Sequence, residues 1–166
     1  MSLQDKQQNE FSEEDINRFE QLATQLHGEQ NLPMGLVGGV AAAIIGGVLW
    51  AAITVATGWQ LGLVAVGIGF LVGYAVSYIG KGITPIFGYM GAGLALLGVV
   101  VGKYLTMVAL WANATDLGYI ETFTTVPFDV IKELVIRNFS PIDLLFYGIA
   151  IYQGYKLSFT DLTSGD

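Results

Sequence analysis

The chain has 166 residues, of which 53% are hydrophobic and only 13% charged, and its net charge is −7. Soluble domains carry about 25% charged residues, so this composition belongs to the membrane class. The acidic balance excludes nucleic acid as a partner, because its phosphates require a basic face, and it excludes a polybasic membrane-surface anchor.

There is no cysteine, which removes disulfides, thiolate metal sites, redox dithiols and lipidation at cysteine. A single histidine, His27, cannot build a histidine metal cluster within one chain. No cofactor is expected. The charges are segregated: seven of the 14 acids precede Pro33, and none lies between Leu32 and Leu110. Across that stretch the only formal charges are Lys81 and Lys103. No basic n-region precedes the first apolar run, so the first span is expected to be retained rather than cleaved as a signal.

Residues 1–33 form a polar, acidic segment, with its first ten residues expected to be frayed. A helix is predicted over about 12–27. Ser12 fits its N-cap, Asp15 the capping-box position, and Glu13, Glu14 and Asp15 the first turn, where the helix dipole favours anions. Ile16, Phe19, Ala23 and Leu26 recur at helical spacing, with Leu22 beside them. Gly28 is the expected stop, and His27 reads as a solvated residue of the last turn. The stripe reads as a docking face for a partner, or as a face lying on the chain's own bundle or in a homo-oligomer. An acidic polar face argues against a membrane-surface role.

The transmembrane domain is predicted over 34–159. A span needs about 20 predominantly apolar residues. Residues 34–57 supply the first, and Gly58, Trp59 and Gln60 break it. Residues 61–79 supply the second, in a tight antiparallel hairpin with the first. Breakers from Gly80 to Pro85 turn the chain, and residues 86–111 form a third span, long enough to tilt or emerge. Small residues recur four apart: Gly35, Gly39, Ala43 and Gly47 in the first span, Gly69 and Gly73 in the second, Gly91 in the third, then Gly98 and Gly102. In lipid no hydrophobic force drives helices together, so close approach over small residues is what favours contact. These residues are read as packing positions rather than as the lining of a path. A loose match of the first and third spans suggests a duplicated hairpin in parallel orientation.

Lys103 is the one ionisable residue inside an apolar run, which by default marks a candidate functional site. Tyr104 and Trp111 follow it as interfacial aromatics do, so snorkelling to the far interface is the favoured reading. Residues 113–125 read as a polar connector, and 127–139 as a short interfacial helix with an apolar stripe of Phe128, Ile131, Leu134, Val135 and Phe139. It caps the bundle or lids a pore. Ser140, Pro141 and Asp143 then form a sharp helix start, with Pro at N1 and the acid at N3. Asp143 is read as a cap, and with Lys103 as the candidate polar membrane site. Residues 141–159 give a fourth span and 160–166 a polar tail.

The segment Ser140-Pro-Ile-Asp-Leu-Leu-Phe-Tyr-Gly-Ile-Ala-Ile-Tyr, with the glycine-rich first hairpin, resembles a loose group of small bacterial four-helix integral membrane proteins. The resemblance covers roughly residues 34–158. It rests on helix caps and packing glycines, and it implies a fold without an activity.

The expected fold is therefore all-α: a four-helix transmembrane bundle with an N-terminal amphipathic helix and an interfacial helix between the third and fourth spans. Lys6, Arg18, Lys81 and Lys156 would share the side of both termini, opposite Lys132 and Arg137, with Lys103 added to the latter two if it snorkels there. The positive-inside bias then favours cytoplasmic termini in a bacterial inner membrane. No phosphate-binding glycine loop, HExxH or GxSxG motif is present, so no enzyme is expected. Two functions compete. One is a non-enzymatic scaffold or accessory subunit of the lipid bilayer that packs through glycine-rich helix faces and offers its acidic N-terminal helix to a partner, a membrane protein or a copy of itself. The other is a small oligomeric channel or transporter.

Overall fold

The computed structural model describes residues 13–58 and 62–159, and the side chains of Glu13, Glu14 and His27 are outside that description. The expected Ser12 cap, the frayed first residues, the Trp59–Gln60 break, the start of the second span at Leu61, the polar tail and the setting of His27 lie outside the described residues. The chain divides into two units, residues 1–30 and 31–166.

The first unit holds helix α1, Glu13–Glu29. It runs through Gly28 rather than stopping there, since a glycine ends a helix only where it turns left-handed and this one stays within the helix. Ile16, Phe19, Leu22 and Leu26 along it are all exposed.

The second unit begins with α2, Leu32–Thr57. Asn31 caps it, its Oδ1 accepting the Met34 N–H at 3.0 Å, and Pro33 occupies the first turn, where no N–H is needed. Helix α3 is Leu63–Gly80 and α4 is Pro85–Thr115. At about 1.5 Å per residue, the 31 residues of α4 exceed a hydrocarbon core of roughly 30 Å. Its apolar run ends at Trp111, yet the helix continues to Thr115, because nothing in Ala112–Thr115 breaks it. Short helices follow: α5, Tyr119–Thr125, and α6, Phe128–Arg137. The connector expected over 113–125 is therefore mostly helical. The Thr122 N–H donates to the Gly118 carbonyl at 2.8 Å, and Thr122 is fully buried. Helix α7 is Pro141–Leu157, bent 102° from α6 across the break between them.

Among the described residues every element is helical. Helices α2, α3 and α4 are each long and apolar enough to cross a membrane, and the bent pair α6–α7 makes up to four such elements. Helices α3 and α4 form a central pair, with α2 packed on both and α7 packed on both. The Asn31 N–H donates to the Gly80 carbonyl at 2.9 Å, so the start of α2 meets the end of α3 and the two run antiparallel. Gly35 lies by Met90 and Gly47 by Gly102, so α2 and α4 run in the same sense.

The core is mostly small and β-branched residues, among them Ala43, Ala65, Ile68, Val72, Val76, Ala95, Val99 and Ala150, with Trp50, Phe87 and Leu94 as its bulky members. Ile44, Ile45, Val48, Leu49, Leu71, Leu96, Leu97 and Val100 face outward. A water-soluble bundle puts its bulky apolar side chains inside. Here the small residues are inside and many bulky ones outside, which suits a lipid solvent and would be a large exposed apolar patch in water.

Candidate functional site

The site is built where α4 meets the α6–α7 bend. Gly98 and Gly102 bring α4 against α2: a Cβ on Gly47 would stand 3.0 Å from the Gly102 nitrogen and 3.2 Å from the Gly98 oxygen. Lys103 follows directly and points away from that seam. Its ammonium lies 3.0 Å from Asp143 Oδ2 and 3.1 Å from the Asn138 carbonyl oxygen. Lys103 is 5% exposed, and the Asp143 side chain 14%.

Both acceptors exist because the chain bends there. Helix α6 ends at Arg137, which leaves the Asn138 carbonyl free of an intrahelical partner. Pro141 starts α7, and Asp143 Oδ2 also accepts the Ser140 N–H at 3.2 Å. One carboxylate thus caps α7 and neutralises Lys103. Lys103 is turned into the bend, where an acid and a carbonyl hold its ammonium. The two residues of the candidate polar site are brought together directly.

Neighbouring polar groups complete the region. Thr106 Oγ1 donates to the Gly102 carbonyl at 2.8 Å. The Tyr147 ring, one turn beyond Asp143, meets Trp50 edge-on at 6.4 Å and Phe139 at 6.1 Å between centroids. Tyr104 is not an interfacial anchor standing alone: it stacks on Phe128 at 5.7 Å and meets Phe123 edge-on at 6.2 Å, which seats α5 and α6 on α4.

The other singled-out residues fall into two seams. Gly35, Gly39, Ala43 and Gly47 of α2 meet α3 and α4, opposite Gly98 and Gly102. Gly69, Gly73 and Gly91 face α7, with the Ala150 backbone directly against Gly69. The Lys103–Asp143 partnership was missed in the sequence, where the two residues stand 40 positions apart.

Chemically, the site offers a lysine held as an ammonium by two oxygen acceptors. That arrangement suits a structural clamp: each charge is compensated, and the lysine is tied up rather than presented to a substrate. Among the described residues no three His, Cys, Asp or Glu side chains converge to hold a metal. Set against models of known protein families, curated proteins and solved structures, the chain matches none.

Proposed function

We propose that the chain is a non-enzymatic integral membrane scaffold or accessory subunit. In this reading α2, α3, α4 and α7 form a four-helix transmembrane bundle packed through glycine-rich faces, and α6 lies at the interface. The acidic N-terminal helix is offered to a partner, a membrane protein or a second copy of the chain.

One observation carries the reading. Helix α1 carries Leu22 54%, Ile16 49% and Leu26 39% exposed along one stripe, in a unit of its own. Seventeen residues gain little helical stability in isolation, and burying each such side chain contributes about 1.5–3 kcal/mol. A covered stripe is therefore the stable arrangement. The channel reading would need converging polar groups along a path. Its best candidate residues, Lys103 and Asp143, are spent on each other. Burial of Lys103 also takes it out of the loop-charge tally. Lys6, Arg18, Lys81 and Lys156 then stand against Lys132 and Arg137, a bias that supports cytoplasmic termini and a bacterial inner membrane.

The test is the mass of the complex gently solubilised from its native membrane into nanodiscs, for the full chain and for a chain lacking residues 1–30. The expected result is a stoichiometric partner that is lost on deletion while the helical core stays folded. A closed homo-oligomer whose ion flux in liposomes falls in Lys103→Ala would replace this reading with the channel.

A further inference from the structure

Five tyrosines stand exposed, and four of them gather at one end of the second unit. Tyr74 and Tyr78 lie on the outer face of α3, Tyr89 on that of α4 and Tyr152 on that of α7. Their levels follow from the packing. A Cβ on Gly80 would lie 2.6 Å from the Phe87 ring, so Tyr78 and Tyr89 each stand two residues in from one meeting point of antiparallel helices. The Tyr89 ring meets Tyr155 of α7 edge-on at 5.3 Å. One turn further in along α3, a Cβ on Gly73 would lie 3.1 Å from the Gln153 oxygen, which sets Tyr74 level with Tyr152.

What lies on either side of these rings decides what they meet. Toward the middle of the helices the outer face continues in Phe70 and Leu71 on α3 and in Leu96 and Leu97 on α4, all exposed. Toward the end α3 gives way to the turn that begins at Lys81, and the Lys156 ammonium stands 5.9 Å from the centre of the Tyr152 ring. The phenols therefore mark the border between an apolar band and a polar, cationic end. A phenol is apolar across its ring and polar at its tip, so it gains most where hydrocarbon gives way to headgroups. A protein partner would meet a patch on one face, whereas these rings come from three helices. We infer that Tyr74, Tyr78, Tyr89 and Tyr152 anchor the bundle at the lipid headgroup boundary and fix its depth in the bilayer. Lys103 follows Tyr89 by fourteen positions of α4, about 21 Å along the helix. In a hydrocarbon core of roughly 30 Å, the Lys103–Asp143 pair then falls in the far third, beside the α6–α7 bend. The inference rests on the membrane-spanning part of the proposed function and is independent of the partner of α1.

The experiment uses the full chain in vesicles of phosphatidylcholine and phosphatidylglycerol. Tyr78→Cys, Tyr89→Cys, Leu71→Cys and Leu97→Cys, each in a chain with no other cysteine, carry a nitroxide one at a time. Electron paramagnetic resonance compares each label's collisions with oxygen and with a water-soluble nickel chelate, which reads its depth. Labels at Tyr78 and Tyr89 are expected to share one depth at the headgroup boundary. Labels at Leu71 and Leu97 are expected about 10–12 Å deeper. Replacing all four tyrosines by leucine is expected to draw the Leu71 label about 3–5 Å deeper, since the anchors are gone and the apolar face is longer. Circular dichroism checks that every variant keeps the helical fold. Labels at Tyr78 and Tyr89 as deep as those at Leu71 and Leu97 would overturn the anchors. So would a Leu71 label that keeps its depth without the tyrosines. Labels at Tyr78 and Tyr89 that are immobilised and shielded from both reagents would overturn them in favour of a second copy covering the rings. Any of these results with Leu71 and Leu97 still deep sinks only the anchors. Free collision of those two labels with the chelate sinks the membrane reading as well.

Discussion

Lys103 and Asp143 stand forty positions apart and make one ion pair. Taking two charges out of water costs several kcal/mol per ion, and their attraction with added hydrogen bonds offsets much of it. The pair is therefore a clamp on geometry more than a source of net stability. Lys103→Met leaves the Asp143 carboxylate buried and uncompensated, and is expected to destabilise the fold by about 3–5 kcal/mol. Lys103→Met combined with Asp143→Leu should recover most of that, less about 1 kcal/mol for the lost helix cap. Unfolding in detergent measures both. A double variant no better than the single would refute the clamp. Glycines separate as clearly. A methyl on Gly69 would meet the Ala150 backbone, whereas one on Gly67 meets nothing within 4 Å. Gly69→Ala is expected to lower stability by about 1–3 kcal/mol, and Gly67→Ala to raise it by about 0.5–1 kcal/mol. Thermal unfolding of the two variants side by side checks the signs.

The elements show which features a sequence carries locally. Apolar runs identify α2, α3 and α4 because in lipid every backbone group must be satisfied within its own helix. Helix ends are less legible. Between Gly80 and Gly82 the left-handed cap falls on Lys81, at φ 48°. Neither glycine is spare for that turn: a Cβ on Gly80 would lie 2.8 Å from Gly35 Cα, and one on Gly82 2.6 Å from the Ser158 oxygen. Helix α5 escaped the pattern because its threonines read as loop, while its support, Phe123 against Tyr104, is tertiary. The 102° bend that carries Asn138 and Asp143 to Lys103 is tertiary too, so each residue was legible alone and the pair was not. Stability should follow the same division. Helix α1, with its apolar stripe exposed, is expected to exchange its amide hydrogens within minutes in detergent, while the buried turns of α2 and α4 persist for hours or longer. Equal protection of α1 in the isolated monomer would show that its stripe is already covered.

At the scale of the molecule, the chain turns its small residues inward and many of its bulky apolar ones outward. Among the described residues, the buried Lys103–Asp143 pair closes a bend between helices. The proposed function makes α1, apolar along Ile16, Phe19, Leu22 and Leu26, the surface offered to a partner. The central claim is that this stripe is the working surface. A photo-crosslinking phenylalanine analogue at Phe19, activated in the native membrane and followed by mass analysis, tests it most directly. The account predicts one discrete adduct with a second polypeptide, or with a second copy, that disappears when Leu22 and Leu26 are changed to serine. Adducts confined to lipid, or to residues of the chain's own bundle, would contradict it.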